Sequence, residues 1–424
     1  MAGQRIGNWY FGWTIVAAAT GLTLLTVGMR MGIGPFFLPI IEDLGFSRSM
    51  LAGMVAIGML CYGLAMPLAG YLVAARGTRF VLLTGMVVVV VSSIATVLAR
   101  HPLAFFLAFG VGQSVGLGLT SPVALTPILT RWFTRQRGMA LFFLSTGSMA
   151  GIALMTPVFT SFIAWLGWRT TMLVFAAAFA LFTVPAALLI FRDNAPPESD
   201  LRPEDLAARA TAKATQPGPA AASLRVGDAL RSAPFWQIAL GLFACGFSMN
   251  LLGSHGVPML MDHGFDAMTS ALGIGLIGAV AVFSTLVLGR LADVLPRRDI
   301  LATIYLVRGL GFFALVVVGT HWELYTAATL GGIVWSGSIA LSSALLADIY
   351  GVKLVGILYG WAYLGHQFGG MISSWLGGWG YETFGTHWVS FGAAGTLLVA
   401  AALLSMRLPR RATLLVPRAA PAAG

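Results

Sequence analysis

Charge is scarce in this sequence. Only 9% of its 424 residues are charged, and the acidic sign is the rarer, 15 Asp and Glu against 25 Lys and Arg. A water-soluble domain needs about a quarter of its residues charged to cover its surface, so that class is excluded. Cysteine is nearly missing as well. Cys61 and Cys245 stand far apart inside apolar runs. That excludes a disulfide framework and a thiolate metal site, and leaves two small buried hydrophobes. No H-E-x-x-H, phosphate loop or metal-ligand cluster occurs, so no cofactor and no metal is expected and the chain does not read as an enzyme. "GQSVG" at 112–116 fits G-x-S-x-G, but it lies in an apolar run without the strand–turn–helix setting of a nucleophile elbow. The net charge of +10 does not point to nucleic acid, because the arginines mark the ends of apolar runs instead of gathering on one soluble module.

What is there instead is apolar length. The chain is 58% hydrophobic, and its mean hydropathy is +0.86. Runs of the length a bilayer demands, roughly 20 residues or more, fall at 10–41, 50–75, 80–99, 102–130, 139–165, 171–191, 235–261, 267–291, 300–319, 323–350, 354–380 and 386–406. This predicts an all-α membrane protein with twelve spans in a lipid bilayer. The first run is too long for a signal peptide and has no small-residue cleavage site after it. Alternate loops differ in charge. Lys and Arg crowd 76–79, 131–137, 192–231, 290–298 and 407–418, with Arg5 and Lys353 on the same side, whereas the other side holds Arg48, Arg100 and Arg169. Basic loops stay in the cytoplasm, so both termini are expected there, in the cell (inner) membrane. Residues 192–234, rich in Ala, Pro and charge, read as a cytoplasmic linker with one short surface helix in "PEDLAARATAK". The expected domains are 1–191, the linker, 235–406, and a cytoplasmic tail over 407–424.

The two sets of six spans repeat one another. At an offset of 219, Gly34 falls on Gly253, Pro39 on Pro258, Gly45 on Gly264, Phe46 on Phe265 and Gly70 on Gly289. At 218, Gly138 falls on Gly356, Gly147 on Gly365, Gly151 on Gly369 and Gly167 on Gly385. Gly147/Gly151 and Gly365/Gly369 are G-x-x-x-G pairs, a spacing that lets helices pack closely. Two like-oriented repeats of six helices are the pattern of a transporter that binds its substrate near the midplane between the halves.

"GRLADVLPRR" at 289–298 carries the loop motif of the major facilitator superfamily, in Gly289, Asp293, Arg297 and Arg298. A degraded first copy, "GYLVAARGTR" at 70–79, keeps Gly70, Arg76 and Arg79 but has Ala74 where the family has Asp. The chain resembles that superfamily over essentially its whole length. "RWFTRQRGMALFFLSTGSMAG", "LGWRTTMLVFAA" and the opening "NWYFGWTIVAAA" are similar to its monocarboxylate and oxalate/formate branch. The resemblance implies two pseudo-symmetric six-helix bundles, alternating access, and a functional monomer. It also implies a basic residue in span one, which Arg30 supplies. The branch's usual helix-eight arginine is absent, since Thr285 stands eight residues before Asp293.

The candidate site residues are polar groups inside spans. Arg30 is the expected anion anchor. Its alternative is a structural arginine, paired with helix-end carbonyls or reaching outward over roughly 18 Å at 1.5 Å per residue. His255 and Asn250 lie on span seven, with His255 matching Phe36 in the repeat. His366 and Gln367 lie on span eleven. Gln113, with Ser114, Thr120 and Ser121, lies on span four, and Trp335 and Ser338 on span ten. Each is a substrate contact or, alternatively, an interhelical hydrogen bond or plain packing. Arg308 on span nine is expected to be structural and to snorkel toward the inner leaflet. Glu42, Asp43, Asp262, Glu323, Asp348 and Glu382 all sit at or near span ends, so no carboxylate is available as a mid-membrane proton relay. His255 and His366 are then the proton-coupling candidates. The expected function is secondary transport of a small organic anion, coupled to protons. The alternatives are export of a bulkier metabolite or drug-like solute into which Met29, Met31, Met249 and Met259 would pack, and a transporter-like receptor.

Overall fold

In lipid each backbone polar group has to find its partner within the protein, so apolar runs of this length form helices. The computed structural model describes residues 5–6, 9–133, 136–194, 226–351 and 354–410. Most of the linker with its expected short helix, Lys353, the tail beyond Arg410 and the side chain of Asp293 lie outside the described residues.

The helices are α1 (Gly12–Met31), α2 (Gly34–Leu44), α3 (Arg48–Arg76), α4 (Thr78–Leu98), α5 (Pro102–Trp132) and α6 (Arg137–Pro185) in the first half. The five-residue α7 (Val226–Leu230) leads into the second half. There follow α8 (Ala233–Asp262), α9 (Ala267–Val294), α10 (Arg297–Val316), α11 (His321–Ile333), α12 (Gly337–Tyr350), α13 (Val355–Phe384) and α14 (Trp388–Ser405). A short antiparallel pairing of Arg5–Ile6 with Trp9–Tyr10 precedes them. Ten helices among the described residues are long and apolar enough to cross a membrane. One of these, Met139–Ile190, is two helices joined at Gly167, whose φ of 75° only glycine adopts without strain.

The repeat is visible in the turns. Gly45 and Gly264 are offset mates with φ of 66° and 92°, and Gly167 and Gly385 are mates with φ of 75° and 64°. It is visible in the packing too. A Cβ at Gly151 would lie 2.6 Å from the Leu24 carbonyl oxygen and 2.9 Å from the Gly28 nitrogen. At Gly369 it would strike the Phe243 carbonyl and lie 2.8 Å from the Phe247 nitrogen. Each G-x-x-x-G pair thus seats one span on the first span of its own half. Where the halves meet, Gly34 packs on its own mate, Gly253.

Spans one and ten, continuous in the sequence, are each broken. Span one stops at Met31 and restarts at Gly34, and span ten stops at Ile333 and restarts at Gly337. The first break leaves Arg30 in the last turn of α1, beside its exposed carbonyl ends, where a cation suits the helix dipole. At the second break Arg308 corrects an expectation. It does not snorkel: it is 1% exposed and turns inward. Its Nη2 donates to Val334 O at 2.6 Å and to Trp335 O, and its guanidinium lies 5.2 Å from the Trp335 ring. The carbonyls freed by the break account for this buried cation.

Candidate functional site between the halves

Arg30 reaches from the first half into the second. Its Nη2 donates to Asn250 Oδ1 at 2.8 Å and to Gln367 Oε1 at 3.2 Å, and lies 3.4 Å from Met59 Sδ. The Tyr62 ring covers one face of the guanidinium, 4.1 Å from centroid to Cζ. Asn250 is held in register by its own helix, because its Nδ2 donates to Gly246 O at 2.7 Å and so turns Oδ1 toward Arg30. The cation therefore has only neutral partners among these contacts, and its Nε is buried with no acceptor. A buried donor without a partner is costly, by about 1–3 kcal/mol and more for a charged group.

A small chamber of about 40 Å³ adjoins it, lined by Arg30, Met59, Tyr62, Gln113 and Ser114 together with apolar residues of α1, α3 and α5. Gln113 Oε1 accepts from Ser93 Oγ at 3.1 Å, which leaves its buried Nε2 without an acceptor. Two residues that line the chamber, one cationic and one neutral, thus each carry a buried nitrogen donor without an acceptor. A carboxylate has two acceptor oxygens, the complement of such donors.

The structure brings Arg30, Asn250, Gln367, Gln113 and Ser114 together, sets His366 beside Gln367 in the chain, and turns the remaining candidates to other partners. His255 is 3% exposed and its Nε2 is bonded to Ser374 O at 2.7 Å, with its ring against Phe37. His366 stacks on Tyr363, with centroids 4.8 Å apart. Trp335 lies under Arg308, and Ser338 is within 3.2 Å of Cys245 Sγ. Thr120 bonds to Thr26 and to its own helix. Thr285 donates to Ser336 Oγ at 2.5 Å, across from the span-ten break. Met59 and Tyr62 are members of the site that sequence reasoning missed. A tyrosine in the middle of span two, where its hydroxyl needs a partner, was the available signal.

At one end the halves are locked. Arg48 makes a two-pronged ion pair with Asp262, at 2.6 and 2.9 Å, across the interface. The Arg48 guanidinium also covers Tyr381 at 4.2 Å, and Glu382 accepts from the Ser49 backbone at 2.7 Å. At the opposite, arginine-rich end each loop motif is tied within its own half. Arg297 bonds both oxygens of Asp348 at 2.7 Å, and Arg298 donates to Leu408 O at 2.5 Å. In the first half Arg79 donates to Phe191 O at 2.7 Å and Arg76 lies over Phe80. Beside this degraded copy Asp193 accepts from Thr78 N and Oγ1 and pairs with Arg131.

Two helical bundles related by an internal repeat, with a charged cluster between them, define a membrane transporter. The chain matches the family model of the Major Facilitator Superfamily over residues 19–320 and 278–422, and it belongs to that family. It is 27% identical to human monocarboxylate transporter 11 over 96% of this chain and 85% of that protein. It is 24% identical to the uncharacterized MFS-type transporter YcxA of Bacillus subtilis, over 81% and 82%. In fold it matches a D-xylose–proton symporter with a TM-score of 0.71 at 17% identity, covering 96% of this chain and 99% of that one. A bacterial homolog of the human lysosomal transporter Spinster, inward-facing and occupied, gives 0.68 at 19%, over 94% and 97%.

Proposed function

We propose that this chain carries a small organic monoanion across the membrane by alternating access, with Arg30 as its anchor. One observation carries the reading: the half-buried guanidinium of Arg30, at the interface of the two halves, has only neutral acceptors, and its Nε is buried without one. A charge at this depth costs roughly 2.5–3.5 kcal/mol on insertion scales, and a bound carboxylate offsets that cost. The likeness to a monocarboxylate transporter supports the same substrate class. In this reading the carboxylate displaces the amide oxygens of Asn250 and Gln367 from Arg30, and Gln113 Nε2 donates to its second oxygen. The bond between the halves is then made through the substrate, which links occupancy to the rocking of the bundles.

The site holds one positive charge, so it suits one negative charge, and a proton travelling with the anion makes the cycle electroneutral. We assign that proton to His366, next in the chain to an Arg30 partner, because both of its ring nitrogens are buried without a hydrogen-bond partner. The arginine-rich end faces the cytoplasm, both termini lie there, and the end locked by Arg48 and Asp262 faces outward.

The test is binding and uptake of carboxylates in proteoliposomes. Arg30→Gln should lose roughly 10- to 100-fold in affinity, the value of one or two bonds to a charged donor, while its circular dichroism stays helical. Arg30→Lys should fall between, since an ammonium lacks the planar fork. Unchanged carboxylate uptake by Arg30→Gln would remove the anchor and with it the anion assignment.

A further inference from the structure

The chamber beside Arg30 is about 40 Å³, on the order of one or two waters. It accommodates a carboxylate and little more. A much larger space begins on the far side of one Arg30 partner. It is a groove of about 510 Å³ between α3 and α13, running from Gly63 and Gln367 at mid-span toward Pro67 and Ile357.

Gln367 is the partition between the two. Its Oε1 accepts from Arg30 at 3.2 Å, its Nε2 points to Met66 Sδ at 3.5 Å, and its methylenes lie on Gly63. A Cβ at position 63 would meet Gln367 Cγ at 2.8 Å, so the partition depends on that glycine. The groove walls are Met66, Pro67, Val123, Tyr359, Trp361 and Tyr363. They are apolar apart from the Trp361 indole N–H and two phenols, whose rings lie 5.6 Å apart. The volume falls in the range of pockets for small organic ligands, roughly 300–1,000 Å³.

Continuity with the charged cluster identifies the occupant. A carboxylate that replaces Gln367 Oε1 at Arg30 releases that side chain, and with its methylenes turned off Gly63 the groove lies open to the rest of the molecule. We infer that the transported anion is an amphipathic monocarboxylate, its charged group on Arg30 and its apolar body in the groove between α3 and α13. This rests on the anion reading above and adds the chemistry of the rest of the molecule.

The experiment is equilibrium binding of labelled octanoate to protein in lipid nanodiscs. The competitors are acetate, butanoate, hexanoate, phenylacetate and octan-1-ol. Gly360→Phe and Val123→Phe narrow the groove from facing walls, and a Cβ at Gly360 meets nothing within 4 Å, so that side chain enters open space. Affinity should rise roughly fourfold per added methylene and should fall roughly 10- to 100-fold in Arg30→Gln. Each groove variant should weaken octanoate at least tenfold and leave acetate unchanged. A flat chain-length series that still depends on Arg30 would overturn this inference and leave the anion reading standing. Octan-1-ol competing as well as octanoate would overturn it too, because the groove would then be a lipid-facing surface. If no carboxylate depends on Arg30, the anion reading has failed and this inference falls with it.

Discussion

At the scale of single residues, the site is built from neutral groups around one charge. Gln113 makes the sharpest test of that design, because its Nε2 has no acceptor while its Oε1 is used by Ser93. A structural glutamine would lower the melting temperature when replaced. A glutamine waiting for an anion should instead lower affinity. Gln113→Leu is expected to weaken carboxylate binding about tenfold, near the value of one bond to a charged acceptor, with little change in the melting point of the unliganded protein. A large melting-point drop with unchanged affinity would assign Gln113 to packing. Arg30 was legible in the sequence because a charge inside an apolar run stands out. Asn250, Gln367 and Gln113 were named as polar groups within spans. What the sequence could not supply was angular register. His255 and Trp335 lie at plausible depths, yet each is turned to its own local partner, Ser374 O or Arg308. A helix that is apolar all round gives no face to read.

At the scale of elements, the glycine pairs were legible because their spacing is fixed by helix geometry, and the breaks in spans one and ten were not. A run of apolar residues reads as continuous whether or not its backbone is interrupted, and the partner that makes the second interruption tolerable, Arg308, comes from another span. Small residues at G-x-x-x-G matter here in unequal measure. A Cβ at Gly365 would meet the Ala239 carbonyl oxygen at 3.3 Å, a contact that small shifts relieve. At Gly369 it would run into the Phe243–Phe247 backbone of α8, which has no side chain to move aside. Gly369→Ala should therefore destabilise by about 1–3 kcal/mol, the usual cost of overpacking. Gly365→Ala should be close to neutral. Thermal unfolding of the two variants side by side checks this, and equal melting temperatures would show that the backbone contact at Gly369 yields.

At the scale of the whole molecule, the repeat explains why the halves lock at one end. Asp43 and Asp262 are repeat mates at an offset of 219, and Arg169 and His387 are mates at 218. In the first half Asp43 is taken up by Arg169 and by Trp168 Nε1, all within one bundle. In the second half the mate of that arginine is His387, a weaker partner at 2.9 Å, and Asp262 remains free to accept Arg48 from across the interface. Two differences between the repeats, Arg169 against His387 and Arg48 against Ala267, thus convert an internal tie into a latch between the bundles. The pair is half-shielded, so its worth is about 1 kcal/mol, enough to shift a two-state balance about fivefold. Arg48→Ala and Asp262→Asn should each move the population toward the conformation open at that end. Spin labels on Glu42 and Phe384, which flank the latch, should show a longer distance component growing in either variant, and growing in wild type as salt is raised. Distances that stay unchanged in both variants would mean that the contact of Gly378 with Arg48 O and Ala52, and not the ion pair, holds the end shut.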